Sequence, residues 1–135
     1  MVQTSHMIEV EDHRELIDAL LKEHGLSPDQ FETVESVKDW CEAHNCDARE
    51  SRIAMVGHLN GKPHIVIVSQ MTNPMIRSIQ GWMELKGLGE EFGALQTDEA
   101  ILTHTVLHEI AGIVLDTGDA VKRSKWAFEQ MGVEL

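Results

Sequence analysis

Residues 53–68 read IAMVGHLNGKPHIVIV: one apolar run, Ile53 to Val56, then Asn60-Gly61, then a second, Ile65 to Val68. Asn-Gly between two apolar runs is a strong short-range signal for a β-hairpin, because both turn positions need positive φ. The stretch therefore predicts strands over about 51–59 and 62–69. Pro63 falls at a strand entry, where its missing N–H costs least. On either side the periodicity turns helical. Residues 11–24 (EDHRELIDALLKEH) repeat Leu16, Ile17, Leu20 and Leu21 at helical spacing and stop at Gly25. Ser27-Pro28 resembles a capped helix start, and 34–44 read as a second helix with Val34, Val37, Trp40 and Cys41 on one face. Beyond the hairpin, helices are expected over about 74–86, 98–115 and 120–131. Helix, helix, hairpin, then three helices is an α+β order, with helices packed on a small antiparallel sheet or hairpin.

At 135 residues, 42% of them apolar, the chain is long enough for one domain with a real core. Residues 1–6 read as added or start-site residue outside the fold, and no signal-peptide pattern opens the chain. The remainder divides by charge into 7–50 and 51–135. The formal net charge is −12. Its source is uneven: residues 1–50 hold 13 acids against 4 bases, and 51–135 hold 10 against 7. Phosphate backbones and anionic lipid would repel such a chain, so direct nucleic-acid and membrane-surface binding are disfavoured. Aromatic residues are 4%, with no Tyr, too few for base-stacking platforms. No apolar run reaches the length of a membrane span. Two cysteines, Cys41 and Cys46, make no disulfide framework, and the cytoplasm is the default address.

The helix over 98–116 carries the chemistry. From His104 onward its polar side chains (His104, Thr105, His108, Glu109 and Asp116) and Gly112 fall within an arc of about 140° at the helical repeat. Leu102, Val106, Leu107, Ile110, Ala111, Ile113 and Val114 fill the rest. A helix apolar over so wide an arc is largely buried, so its polar wedge must meet a cleft, a ligand or a patch of solvent. His104 and His108 are four residues apart, about 5–6 Å between Cβ atoms, a separation at which two imidazoles can share one zinc ion. His58 and His64 in the hairpin are candidates to complete such a site. The plain alternative is a pair of hydrogen-bonded core histidines.

His108-Glu109-Ile110-Ala111-Gly112, set between Thr105-Val106-Leu107 and Ile113-Val114-Leu115, resembles the HExxH helix of the zincin metallopeptidases, in particular the compact ImmA/IrrE-like kind. Trp126-Ala127-Phe128 is similar to the small-aromatic signature of their last helix. The resemblance implies a zincin-like fold, His108 as the first zinc ligand and Glu109 as the base acting on the metal's water. It also exposes two departures. Gly112 stands where the second histidine belongs, and Lys122-Arg123-Ser124-Lys125 stands where a ligand carboxylate is expected. With His104 as a substitute ligand, the metal set is His104 and His108 and the catalytic residue is Glu109. The implied partner is a peptide or protein.

Other constellations are weaker. Cys41-x-x-His44-x-Cys46 has good zinc-ligand types but no established spacing, and reads as core or surface thiols. Met55, Met71, Met75, Met83 and Met131 read as core fillers, and Trp40, Trp82 and Trp126 as core anchors. Two functions follow. One is a metallopeptidase-like protein with a degenerate centre. The other is a non-catalytic acidic module or inhibitor that docks a basic protein surface. An open polar wedge favours the first, and a closed one the second.

Overall fold

The computed structural model describes residues 7–45 and 53–133. Residues 1–6, read as added or start-site residue, lie outside them, as does Cys46. Among the described residues the protein is a mixed α+β fold. In chain order it runs β1 (Met7–Glu9), a 3₁₀ turn (Val10–His13), α1 (Arg14–Glu23), a 3₁₀ turn (Pro28–Gln30), β2 (Phe31–Val34) and α2 (Val37–Ala43). Then come β3 (Ala54–Leu59), β4 (Lys62–Val68), β5 (Gln70–Thr72), α3 (Asn73–Leu85), α4 (Gly89–Phe92), α5 (Asp98–Val114) and α6 (Ala120–Gln130).

The hairpin forms as read. β3 and β4 pair antiparallel with Leu59 opposite Lys62. The two turn residues hold φ of 54° at Asn60 and 79° at Gly61, the left-handed pair that a tight hairpin demands. Ile65, Val66, Ile67 and Val68 are all buried. β4 is the central strand, because its other edge is taken by β2, which lies parallel to it with Phe31 opposite Ile65 and Val34 opposite Val68. The three-stranded order is β2-β4-β3. This corrects the expectation that helix begins at residue 34. Ser36 is the cap, its hydroxyl accepting from the Asp39 N–H at 3.1 Å, so Val34 stays extended and helix begins at Val37. A second pair, β1 antiparallel to β5, joins Ile8 to Met71. The acidic N-terminal stretch is thus stitched into the same core as the rest.

The helices start where polar caps place them. Thr97 Oγ1 accepts from the Ala100 N–H at 3.0 Å to open α5, and Asp119 Oδ1 accepts from the Val121 N–H at 3.0 Å to open α6. α5 runs through the centre, packed against α1, α6, β3 and β4. Ile17, Leu21, Ile65, Ile67, Leu102, Val106, Ile110 and Phe128 belong to one continuous apolar cluster. Of the three tryptophans, Trp40 is buried, while Trp82 and Trp126 pack against that cluster from its edge. No helix of the described residues is long and apolar enough to cross a membrane.

Candidate functional site

α5 presents its polar wedge to α6 and α3 rather than to open solvent. His104 and Glu109 are buried, and His108 is the most accessible of the three, with 19% of its side chain exposed. Thr105 is spent locally, its hydroxyl donating to the Ile101 carbonyl at 2.9 Å. Asp116 lies exposed beyond the end of α5.

The two histidines differ in their surroundings. His108 Nδ1 and Ser124 Oγ of α6 are 3.0 Å apart, Trp82 meets the ring edge-on at 6.4 Å, and Nε2 lies 3.9 Å from Glu109 Oε2. Burial, seconded by the positive charge of Arg123, holds the His108 imidazole down at a pKa of about 4. It is therefore neutral at pH 7. His104 lies one turn earlier, its ring 4.5 Å from Phe128 and 6.1 Å from His108. Its Nε2 is buried with no hydrogen-bond partner. Burial and then the neighbouring His108 push its pKa down to about 3. A buried ring nitrogen without a protein partner costs about 1–3 kcal/mol, so this atom leaves polar capacity unspent beside His108.

Glu109 points into the protein. Burial raises its carboxyl to a pKa of about 7, and the charge of Arg123 works in the opposite direction. A carboxyl balanced between its acid and anion at neutral pH has the property of a general acid or base. Ser124, His108 and Glu109 also have the residue types of a nucleophilic relay. That reading fails on access: Ser124 is fully buried, so no substrate carbonyl can reach its oxygen.

The two departures from the zincin pattern prove to be one feature. Arg123 of α6 lies on Gly112 of α5. A Cβ built on Gly112 would fall 2.6 Å from Arg123 Cζ, 2.6 Å from Nη2 and 2.9 Å from Nε. No side chain larger than hydrogen fits beneath the guanidinium where it lies. Arg123 Nε donates to the Thr117 carbonyl at 2.7 Å, which anchors the group over the last turn of α5. The space a second motif histidine needs is filled by a cation.

The donor set therefore does not match the metal centre that the resemblance implies. Among the described residues, no three His, Cys, Asp or Glu side chains come together in a way that could hold a metal ion. His64 does not turn toward His104. It is held in another cluster, Nε2 2.9 Å from Glu32 Oε1 and its ring stacked on Trp40 at 5.8 Å. His58 is exposed on β3 near the hairpin turn. Cys41 is disulfide-bonded, so it is not the free thiol expected; the thiol argument for a reducing compartment loses its footing there. His44 of the same stretch stacks on Trp40 at 4.0 Å, and its Nδ1 lies 2.7 Å from the Trp40 carbonyl.

Arg123 and Ser124 enter the sequence reading only as part of Lys122-Arg123-Ser124-Lys125, the run that stands where a ligand carboxylate is expected. The helical spacing held a clue. Ser124 lies on the stripe of Ala127 and Phe128, both buried, while Lys122 and Lys125 point out. Gly112 held another, since a glycine inside a helix costs about 1 kcal/mol against alanine and calls for a packing reason. No protein-family model matches the chain, and no curated protein or solved structure matches it either. The zincin resemblance rests on the residues quoted.

Proposed function

We propose that this chain is a zincin-like scaffold whose hydrolytic centre is closed, and that it acts as a non-catalytic module docking a basic surface on a protein partner. One observation carries the reading. The polar wedge is shut, with His104 and Glu109 buried and the Gly112 position covered by Arg123, so a peptide backbone has no route to Glu109. The acidic surface supplies the alternative use. Glu9, Glu11, Asp12, Glu15, Glu23 and Glu35 are exposed in the N-terminal half. Its Arg14 is already engaged, 2.8 Å from Asp18 and 3.3 Å from Glu11. A surface with so large a surplus of one sign steers oppositely charged partners and sets their register.

The test is titration with a lysine- and arginine-rich peptide at low salt and at about 0.5 M salt, where the screening length falls to a few ångströms. The reading expects binding that weakens at least tenfold, as measured by tryptophan fluorescence anisotropy. No binding at low salt, or binding indifferent to salt, removes it.

One observation favours a second reading, a zinc-binding protein in which His104 and His108 are the ligands and Glu109 lies beside them: the unpartnered, buried Nε2 of His104. Metal analysis of protein purified without an affinity tag decides it. About one equivalent of zinc, lost in His108→Ala, supports the metal reading. A trace unchanged by that substitution ends it.

A further inference from the structure

We propose that the junction of α5 and α6 is a guanidinium-binding cradle that the chain fills with its own Arg123. The inference stands on the geometry around Gly112 and is independent of the docking and zinc readings.

Three features make the cradle, each suited to this one ligand class. Gly112 is the floor. The guanidinium carbon and two of its nitrogens lie nearly equidistant from the missing Cβ, at 2.6, 2.6 and 2.9 Å, so the flat face of the group rests on the helix. A planar, weakly hydrated cation tolerates that close packing, whereas a tetrahedral ammonium with its firm hydration shell does not. The Thr117 carbonyl is the acceptor, taking the Nε–H at 2.7 Å. The last turn of α5 supplies the field: its C-terminal carbonyls carry partial negative charge that favours a cation placed there, and Glu109 lies within reach of the same positive charge. Together, Gly112 and Arg123 are a matched exchange. The glycine removes the side chain a metal ligand would use, and the arginine puts a guanidinium in its place.

The experiment empties the cradle and offers it a free ligand. Arg123→Ala in the full chain is expected to melt below the wild type, and millimolar ethylguanidinium is expected to raise that melting temperature saturably. The wild type, already filled, should not respond. Ethylammonium at the same concentration should not substitute, and Gly112→Ala/Arg123→Ala, with its floor blocked, should lose the rescue. An Arg123→Ala protein indifferent to ethylguanidinium, or equally raised by ethylammonium, overturns the proposal. So does uptake of one equivalent of zinc by Arg123→Ala with no guanidinium rescue, since the space would then be a metal site with an arginine over it. Should Arg123→Ala fail to fold, Gly112→Ala alone is decisive. Alanine for glycine inside a helix ordinarily stabilises. Here the added methyl has to push the guanidinium off its Thr117 acceptor, so Gly112→Ala is expected to fall well short of that ordinary gain, and the full gain overturns the cradle.

Discussion

Among the described residues, histidine and carboxylate come together in two clusters that are opposites. Between β2, α2 and β4, Glu32 Oε1 accepts the Trp40 Nε1–H at 2.7 Å and lies 2.9 Å from His64 Nε2. His64 is almost fully covered, while Glu32 keeps 41% of its side chain in solvent. Every polar atom of that contact has a partner, and the carboxylate keeps its hydration. On α5 the arrangement is reversed. Glu109 is buried, and His104 Nε2 is buried with no partner. The first cluster spends its polar groups on holding the sheet to α2. The second leaves polar capacity unspent, which natural folds tolerate mainly where something binds or reacts. The pair separated by 32 residues in the chain is the structural one, and the motif-like pair at i, i+4 is the one that still lacks an explanation in packing.

The largest expected effect falls on the satisfied cluster. Trp40→Ala removes a buried indole that touches Gly57, stacks between His44 and His64 and donates to Glu32. It should cost about 3–5 kcal/mol in urea unfolding, the range for a large aromatic lost from a core. A loss below about 1 kcal/mol would show that this cluster is no anchor.

The next effect belongs to α5 and is read against pH. Folding raises the Glu109 carboxyl from 4.5 to about 7. The folded state then holds a proton that the unfolded chain releases between those values, so stability from this group falls as pH rises through that window. The total is about 3 kcal/mol at 1.36 kcal/mol per unit. His104 and His108 act in the opposite sense. Their folded values near 3 and 4 lie below the ordinary 6.5, so they lose stability as pH falls from about 6.5. The wild type should therefore be most stable near pH 6–7, with two imidazoles outweighing one carboxyl on the acid side. Glu109→Gln removes only the carboxyl contribution. Its stability relative to wild type should grow by about 3 kcal/mol between pH 4.5 and 8. A difference independent of pH would mean that Glu109 is not held as the acid by burial.

How far this contrast could be read from residue order differs by cluster. Local signals placed most of the frame: Asn60-Gly61 set the hairpin, Thr97 and Asp119 set the starts of α5 and α6, and the expected helix over 98–115 ends at Val114. The three short strands escaped because their partners are remote. Phe31–Val34 carries no strict alternation, and the strand it pairs with, Ile65–Val68, is remote in the chain. The polar stripe of His104, His108 and Glu109 on a buried helix followed from periodicity alone. What covers it did not, because Arg123 faces inward only when α6 is rolled so that Ala127 and Phe128 enter the core. Glu32 was legible as an acid and nothing more, since its partners lie on α2 and β4.

A smaller effect sharpens the satisfied side. Glu32→Ala takes the shared acceptor from both Trp40 and His64 and leaves two ring N–H groups without it. An expected loss of about 1–3 kcal/mol follows from stranding buried donors. Thermal melts of Glu32→Ala and Glu32→Gln separate the hydrogen bond from the charge. Gln keeps an acceptor oxygen, so it should recover much of the loss.

The smallest expected change is the one that divides structure from function on α5. His104→Leu replaces an imidazole whose Nε2 has no partner with an apolar side chain of similar size, in a setting already lined by Phe128. If the ring serves only packing, it is a poor choice for its position, and leucine should stabilise the fold by about 1 kcal/mol, the desolvation cost it no longer carries. The depressed histidine titration should lose one of its two contributors, flattening the acid side of the pH profile. A gain in stability means that the chain keeps His104 at a cost, which packing of the folded chain does not offset. Zinc content and salt-dependent peptide binding, measured on the same variant, then say whether either interaction depends on the ring. A loss of stability in His104→Leu instead makes the ring a packed core residue, and the contrast between the two clusters disappears.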